Sequence, residues 1–346
     1  MATETIPAEQ KQQPAPSTVI RLTRRVGQVR ELGLVVVLLL IFVGVGIPEP
    51  RFVAVNNLRD ILFSVSIIAI VAVGETLVVI TRNVDLSVSA IIGLVAFVSG
   101  DLFKQHQSIS VALVVLIGCA IGLGLGFLNG LLVSYGGVPA IVVTLGTLYI
   151  YRGADYAIAK GQQISAYDVP ERFLGLASDT IIGVPLFVLI AAAIALIFAL
   201  FLRYARAGRQ MYAIGSNPEA ARLAGIQRNR LVLLAFTISG LLSGLGGIMW
   251  AAYFATVDAN AATGVELLVV AAVVVGGVNI FGGSGTILGA MLGAVLLATI
   301  QDALNILNIS QFWLQAFYGA AILLAVILDT LILRQLQRTY LTRRQR

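Results

Sequence analysis

The chain is nearly bare of the side chains from which most catalytic sites are built. Its 346 residues hold one histidine, His106, and one cysteine, Cys119. His106 lies in the polar run DLFKQHQS, so no HExxH, His-pair or Ser-His-Asp site can be assembled. A lone cysteine inside an apolar run excludes an intramolecular disulfide and a thiol metal site. Lysine is almost as scarce: Lys11, Lys104 and Lys160 are all there are. None sits in a GxxxxGK[ST] frame, so the chain carries no P-loop. Charged residues make up only 12%, against about a quarter in soluble globular proteins. These absences predict no enzyme, no metal and no cofactor in this chain.

What is present is hydrocarbon. Apolar residues make up 58% and the mean hydropathy is +0.95. Apolar stretches of roughly 18 to 24 residues recur, each long enough to cross a hydrocarbon core of about 30 Å. The expected fold class is an all-α, polytopic transmembrane bundle. The first helix covers Leu32–Ile47, retained rather than cleaved as a signal peptide. Further spans fall near 60–80, 86–103, 110–134, 139–159, 180–202, 231–254, 265–281, 285–304 and 312–333. That makes about ten, with both tails on one side. An even count places 17 of the 23 basic residues on that side. The positive-inside rule then makes it cytoplasmic, N-in and C-in, with loop 160–179 outside. Residues 1–30 read as a disordered cytoplasmic tail, 31–334 as the transmembrane domain and 335–346 as a basic cytoplasmic tail. The net charge of +6 reflects these loops and implies a lipid bilayer, not nucleic acid. The run Gly122-Leu-Gly124-Leu-Gly126 lies within a span and suits close helix packing better than dinucleotide binding.

One polar island interrupts this pattern, RYARAGRQMYAIGSNPEAARLAGIQRNR at 203–230, with six arginines and one acid, Glu219. Gly215-Ser216-Asn217-Pro218 is a turn signal. Ser216 or Asn217 can cap a short helix whose first turn holds Pro218 and Glu219, and Gly225 stops it. Ala220, Ala221, Leu223 and Ala224 give that helix an apolar face for a partner's groove. Being merely a solvated loop helix is the plainer alternative.

Two spans are broken sharply, at TRNVD (81–85) and FGGSG (281–285). The similarity hints at two related halves. Polar residues within or at the ends of spans are Glu75, Asn129, Arg152, Asp155, Glu266, Asn279 and Asp302. Most sit near ends, where snorkelling is cheap. Glu75 is deeper; it faces a wet path or pairs with an arginine. Asp85 and Ser87 suit an N-cap of the third span. The candidates for a path lined by neutral hydrogen-bonding groups are Thr76, Asn83, Asn129, Thr144, Thr147 and Asn279, with Glu75, Asp85 and Ser87 beside them. No series of buried acids and histidines forms a proton relay, which argues against an ion-coupled carrier.

Four stretches carry a resemblance: ETLVVITRNVDLSVSAIIG (75–93), GFLNGLLVSYGGVPAIVVTLGTLYIYRG (126–153), GRQMYAIGSNPEAARLAGI (208–226) and VVVGGVNIFGGSGTILGAMLGAV (273–295). In this order they resemble the permease subunits of bacterial ATP-binding-cassette importers for ribose, xylose, rhamnose and autoinducer-2-type sugars. The resemblance implies a bacterial cell-membrane permease that pairs with a second, identical or homologous permease. It also implies a cytoplasmic ATPase that binds the ATP and an extracytoplasmic sugar-binding protein. Asn217, Glu219, Ala220, Ala221 and Gly225 match the family's ATPase-coupling segment, with Gly215, Pro218 and Leu223 alongside. Asp85, Leu86 and Ser87 match its D-L-S motif. Arg82 and Asn83 replace the usual preceding glycines and Ser89 the following one, a variant closest to the autoinducer-2 and rhamnose branches. A self-contained carrier for a neutral solute and a branched-chain amino-acid importer permease remain open as alternatives.

Overall fold

The computed structural model describes residues 17–310, 312–324 and 327, with side chains from residue 31 onward. Residues 1–16 and the basic tail 335–346 lie outside the described residues. Helices run α1 (Ser17–Gly46), α2 (Val55–Ile80), α3 (Val88–Gln105), α4 (Val111–Ser134), α5 (Ala140–Ala159), α6 (Glu171–Ser178), α7 (Leu186–Tyr204), α8 (Arg206–Ser216), α9 (Pro218–Leu223), α10 (Arg228–Phe254), α11 (Val265–Val275) and α12 (Ile287–Ile306). A further apolar helix, α13, spans Phe312–Leu324. The fold is all-helical apart from one small hairpin.

Among the described residues six helices, α2, α3, α4, α7, α10 and α12, are long and apolar enough to cross a membrane. The apolar part of α1 (Glu31–Gly46), α11 and α13 are shorter. α5 carries Arg152 and Asp155 within its 20 residues. Two expected spans need correction. The one placed at 180–202 begins only at Leu186, because Thr180–Ile181 and Val184–Pro185 pair as antiparallel strands. The one placed at 265–281 stops at Val275. Its 11 residues rise only about 16 Å, roughly half of a hydrocarbon core. The stop has a steric cause: a Cβ on Gly276 would sit 2.3 Å from the Gly289 carbonyl, so the chain turns where α12 presses against it.

α2 is the axis of the bundle. Every side chain from Val65 to Ile80 is buried, as expected of a helix that is apolar all round and enclosed by others. α10 packs along α2, α3 and α4. Its contact with α4 depends on glycine: a Cβ on Gly122 would lie 2.3 Å from the Gly240 carbonyl, and one on Gly126 would lie 2.4 Å from the Phe236 carbonyl. The packing reading of Gly122 and Gly126 therefore holds, while Gly124 faces open space. Small residues at such seams allow backbone-to-backbone approach in a solvent where apolar side chains gain little by clustering.

Candidate functional site

α2 enters the island end of the bundle at Ile80, turns through 81–87 and re-enters as α3. At that turn a polar junction forms in an otherwise apolar interior. The Asp85 amide donates to Glu75 Oε1 (3.0 Å). Asp85 Oδ1 accepts from the Ser87 amide (3.0 Å) and the Ser87 hydroxyl (2.6 Å), and Oδ2 accepts from Ser239 Oγ of α10 (3.4 Å). Asn129 of α4 donates to Ser87 Oγ (2.7 Å) and accepts from the Tyr151 hydroxyl of α5 (3.0 Å). Thr144 donates to the Val84 carbonyl (3.3 Å) as well as to Ala140 on its own helix (2.9 Å). Residues from α2, α4, α5 and α10 thus close on the turn that leads into α3. Glu75, Asp85, Ser87, Asn129, Thr144 and Ser239 are all fully enclosed. Buried polar groups need such partners, since an unmet donor or acceptor costs about 1–3 kcal/mol.

Several expectations change here. Glu75 pairs with no arginine among the described residues and faces no open path; its partner is the Asp85 backbone. Ser87 precedes α3 but makes no side-chain cap; its hydroxyl goes to Asp85 instead. Thr147 donates to the Thr144 carbonyl of its own helix (3.4 Å). Thr76 turns back onto Ala72 of its own helix, and Asn83 onto Thr81. Asn279 lies outside the junction. It is partly exposed, and its side chain accepts from the Phe281 amide (2.8 Å), shaping the glycine loop. Ser239 and Tyr151 complete the junction and were not anticipated: a serine in a long apolar helix, or a tyrosine near a span's middle, carries no pattern.

Arg152 and Asp155 do not snorkel. Both are buried and pair at 3.8 Å. Arg152 also donates to the carbonyls of Ala259 (3.0 Å) and Ala261 (2.8 Å), fastening the loop after α10 to α5. Glu266, by contrast, behaves as an end residue, accepting from the Gly264 amide just before α11.

The island folds as two helices. α8, which had no forecast, is amphipathic and buries Met211 and Ile214. α9 is the short helix expected. Asn217 caps it, accepting from the Ala220 amide at 3.0 Å, and Pro218 stands in its first turn. Gly225 ends it with φ +73°. Ser216 does not cap; its hydroxyl returns to Tyr212 (2.8 Å). Ala221 packs inward while Leu223 is 83% exposed, so the proposed apolar face is split. A surface groove lined by Tyr135, Glu219, Arg222, Arg228 and Arg230 runs beside α9.

The island is seamed to both chain breaks. The Gly283 amide donates to the Ile80 carbonyl (2.9 Å). A Cβ on Gly215 would lie 2.0 Å from that same carbonyl and 2.4 Å from Gly283 N. Gly215 is therefore an internal spacer, not a surface contact residue. Arg82, at φ 67°, reaches the Ser216 carbonyl (3.4 Å). Tyr212 donates to the Gly285 carbonyl (2.8 Å), and burial pushes its phenol up to about 12, which keeps it a donor.

A family model described as branched-chain amino acid transport system / permease component matches residues 57–326. The chain is 33% identical over 299 residues to a probable ABC transporter permease protein y4mJ of Sinorhizobium fredii (strain NBRC 101917 / NGR234), covering 86% of this chain and 89% of the relative. It is 34% identical over 300 residues to the autoinducer 2 import system permease protein LsrC of Escherichia coli O157:H7, covering 87% and 86%. Against the protein of that name from Salmonella typhi it is 32% identical over 309 residues, covering 89% and 88%. No solved structure matches it.

Proposed function

The chain belongs to the family of branched-chain amino acid transport system permease components, and on that premise we propose that its cargo is a sugar-like solute of the autoinducer-2, rhamnose, ribose or xylose class. It is a multi-pass inner-membrane permease of an ATP-binding-cassette importer, and its relatives are transport proteins rather than enzymes. In our reading the chain crosses the membrane about ten times, with α8 and α9 in the cytoplasm. A separate ATPase seats on α9 around Asn217, Pro218, Glu219, Ala220 and Leu223. A second permease completes the path, and an extracytoplasmic binding protein delivers the solute.

The observation that carries this reading is the seam. The end of α8, joined to the capped helix α9 through Asn217 alone, lies against both breaks at once, through Gly215, Ile80 and Gly283. Directly behind the first break is the polar junction. A push on α9 therefore reaches the Asp85 turn without crossing a flexible linker. We assign the junction as a polar latch on the path, closed in this state, with Glu75, Asp85, Ser87, Asn129 and Thr144 as its members. Closure of two ATPases would bias it between two arrangements.

The family description itself favours a second reading, a branched-chain amino acid. The donor set argues against it. Amino acids present a carboxylate, and Arg152, the buried guanidinium of α5, is already engaged by Asp155 and two carbonyls. Uptake separates the two: cells expressing the full importer should accumulate labelled sugar that unlabelled rhamnose, ribose or autoinducer-2 competes away. Uptake blocked by leucine, isoleucine or valine and not by sugars would establish the amino-acid reading instead.

A further inference from the structure

At the end of the bundle opposite the island, a cavity of about 350 Å³ opens among α2, α10, α11, α12 and α13. It lies wholly within this chain and apart from the polar junction. The start of α2, the end of α10 and the end of α12 meet there, so the cavity lies at the far end from α9. Its size falls within the ordinary range of small-molecule sites, about 300–1,000 Å³.

Its chemistry is specific. One wall is aromatic: Trp250 and Phe254 lie 4.4 Å apart with their rings tilted by 38°, and Tyr253 meets Phe254 edge-on at 4.9 Å. The other is polar, with Asp60 on α2 and Gln301 and Asp302 on α12. Among the described residues, no lysine, arginine or histidine lines the cavity. A phosphate or carboxylate would therefore meet two carboxylates and no counter-charge. Asp302 Oδ2 accepts from Asn57 (2.7 Å) and keeps its other oxygen for a ligand. Gln301 Oε1 accepts the Tyr318 hydroxyl (3.3 Å), which leaves the Gln301 amide hydrogens to be used. Those hydrogens need a ligand lone pair, which a simple organic cation lacks. Acceptors, a donor and an aromatic face together suit a small ring with a rim of hydroxyls and a face of C–H bonds.

We propose that this cavity is a binding site for a neutral, monosaccharide-sized polyol, a way-station in the permease that is separate from the polar latch. Asp60 and Asp302 accept its hydroxyls, the Gln301 amide donates to a ring or hydroxyl oxygen, and Trp250 and Tyr253 pack its apolar face. The choice of sugars as probes rests on the importer reading; the cavity's place and donor set do not. Given the topology above, the cavity lies at the outer end of the permease.

The test uses the full-length chain with its ATPases in lipid nanodiscs and radiolabelled L-rhamnose, D-ribose and D-xylose in a saturation binding assay. At least one sugar should bind saturably. Asp60→Asn, at an exposed position that leaves the core intact, and Gln301→Leu should each weaken binding about tenfold or more, the scale of one charge-assisted or well-placed hydrogen bond. Binding unchanged in both variants would overturn the proposal, as would saturable binding of choline in preference to every sugar. Failure of all three sugars to bind would also overturn it. The ATPase co-purifying in the same preparation reports on the importer reading separately, so the two can fail independently.

Discussion

Asn129 uses both ends of its amide, donating to Ser87 and accepting from Tyr151, and so ties α4 to the Asp85 turn and to α5. Asn129→Ala should destabilise the protein by about 1–3 kcal/mol and reduce transport. A lower melting temperature in detergent, with loss of uptake, is the expected result. Arg152→Ala should cost more, about 3–5 kcal/mol, because it leaves Asp155 enclosed with no counter-charge. Replacing both members by leucine should restore much of the stability, which the same melting measurement reads. At this scale the sequence was only partly legible. Asn129, Asp85 and Ser87 stood out as polar groups among apolar ones, and the structure brings them together. Ser239 did not, since a serine in an apolar helix can satisfy itself on the preceding turn. Arg152 and Asp155 were misread as end residues. Their spacing of three along a helix already allowed a pair, but it said nothing of the loop carbonyls at Ala259 and Ala261 that complete the guanidinium's shell.

Among the elements, α9 and its seam make the sharpest prediction. Gly215→Ala adds a methyl group where the Ile80 carbonyl and Gly283 N already stand. The exposed surface of α9 is untouched. We expect the ATPase still to co-purify with this variant while ATP-driven uptake falls by an order of magnitude or more; uptake at the normal rate would remove the seam from the mechanism. Gly240→Val should instead disrupt the packing of α10 on α4 and lower the yield of folded protein, as thermal unfolding would report. The cap of α9 was readable because Asn217-Pro218-Glu219 is local chemistry. Its partner α8 was not, because arginines scattered through an amphipathic surface helix look like a polar loop until Met211 and Ile214 are seen buried. The early end of α11 escaped for a similar reason. Val278 and Ile280 continue the apolar run, and only the approach of Gly289 to Gly276 shows that the helix has stopped.

For the whole molecule, composition alone settled the class: an apolar content of 58% with 12% charge leaves little besides a bundle in lipid. The order of packing was not legible, because helices apolar on every side carry no signal for which neighbour they choose. The resulting architecture puts an exposed, capped helix at one end, an enclosed polar junction behind it and an open cavity at the far end. Nothing in the chain hydrolyses ATP by a P-loop, so the account requires a motor bound at the exposed helix. The most direct measurement is affinity purification of the tagged chain from its native membranes in mild detergent, with the co-purifying proteins identified by mass spectrometry. The account predicts a P-loop ATPase, retained by the native protein and lost with Glu219→Lys while the permease itself stays in the membrane. A single chain that transports solute in proteoliposomes with no ATPase present would contradict it.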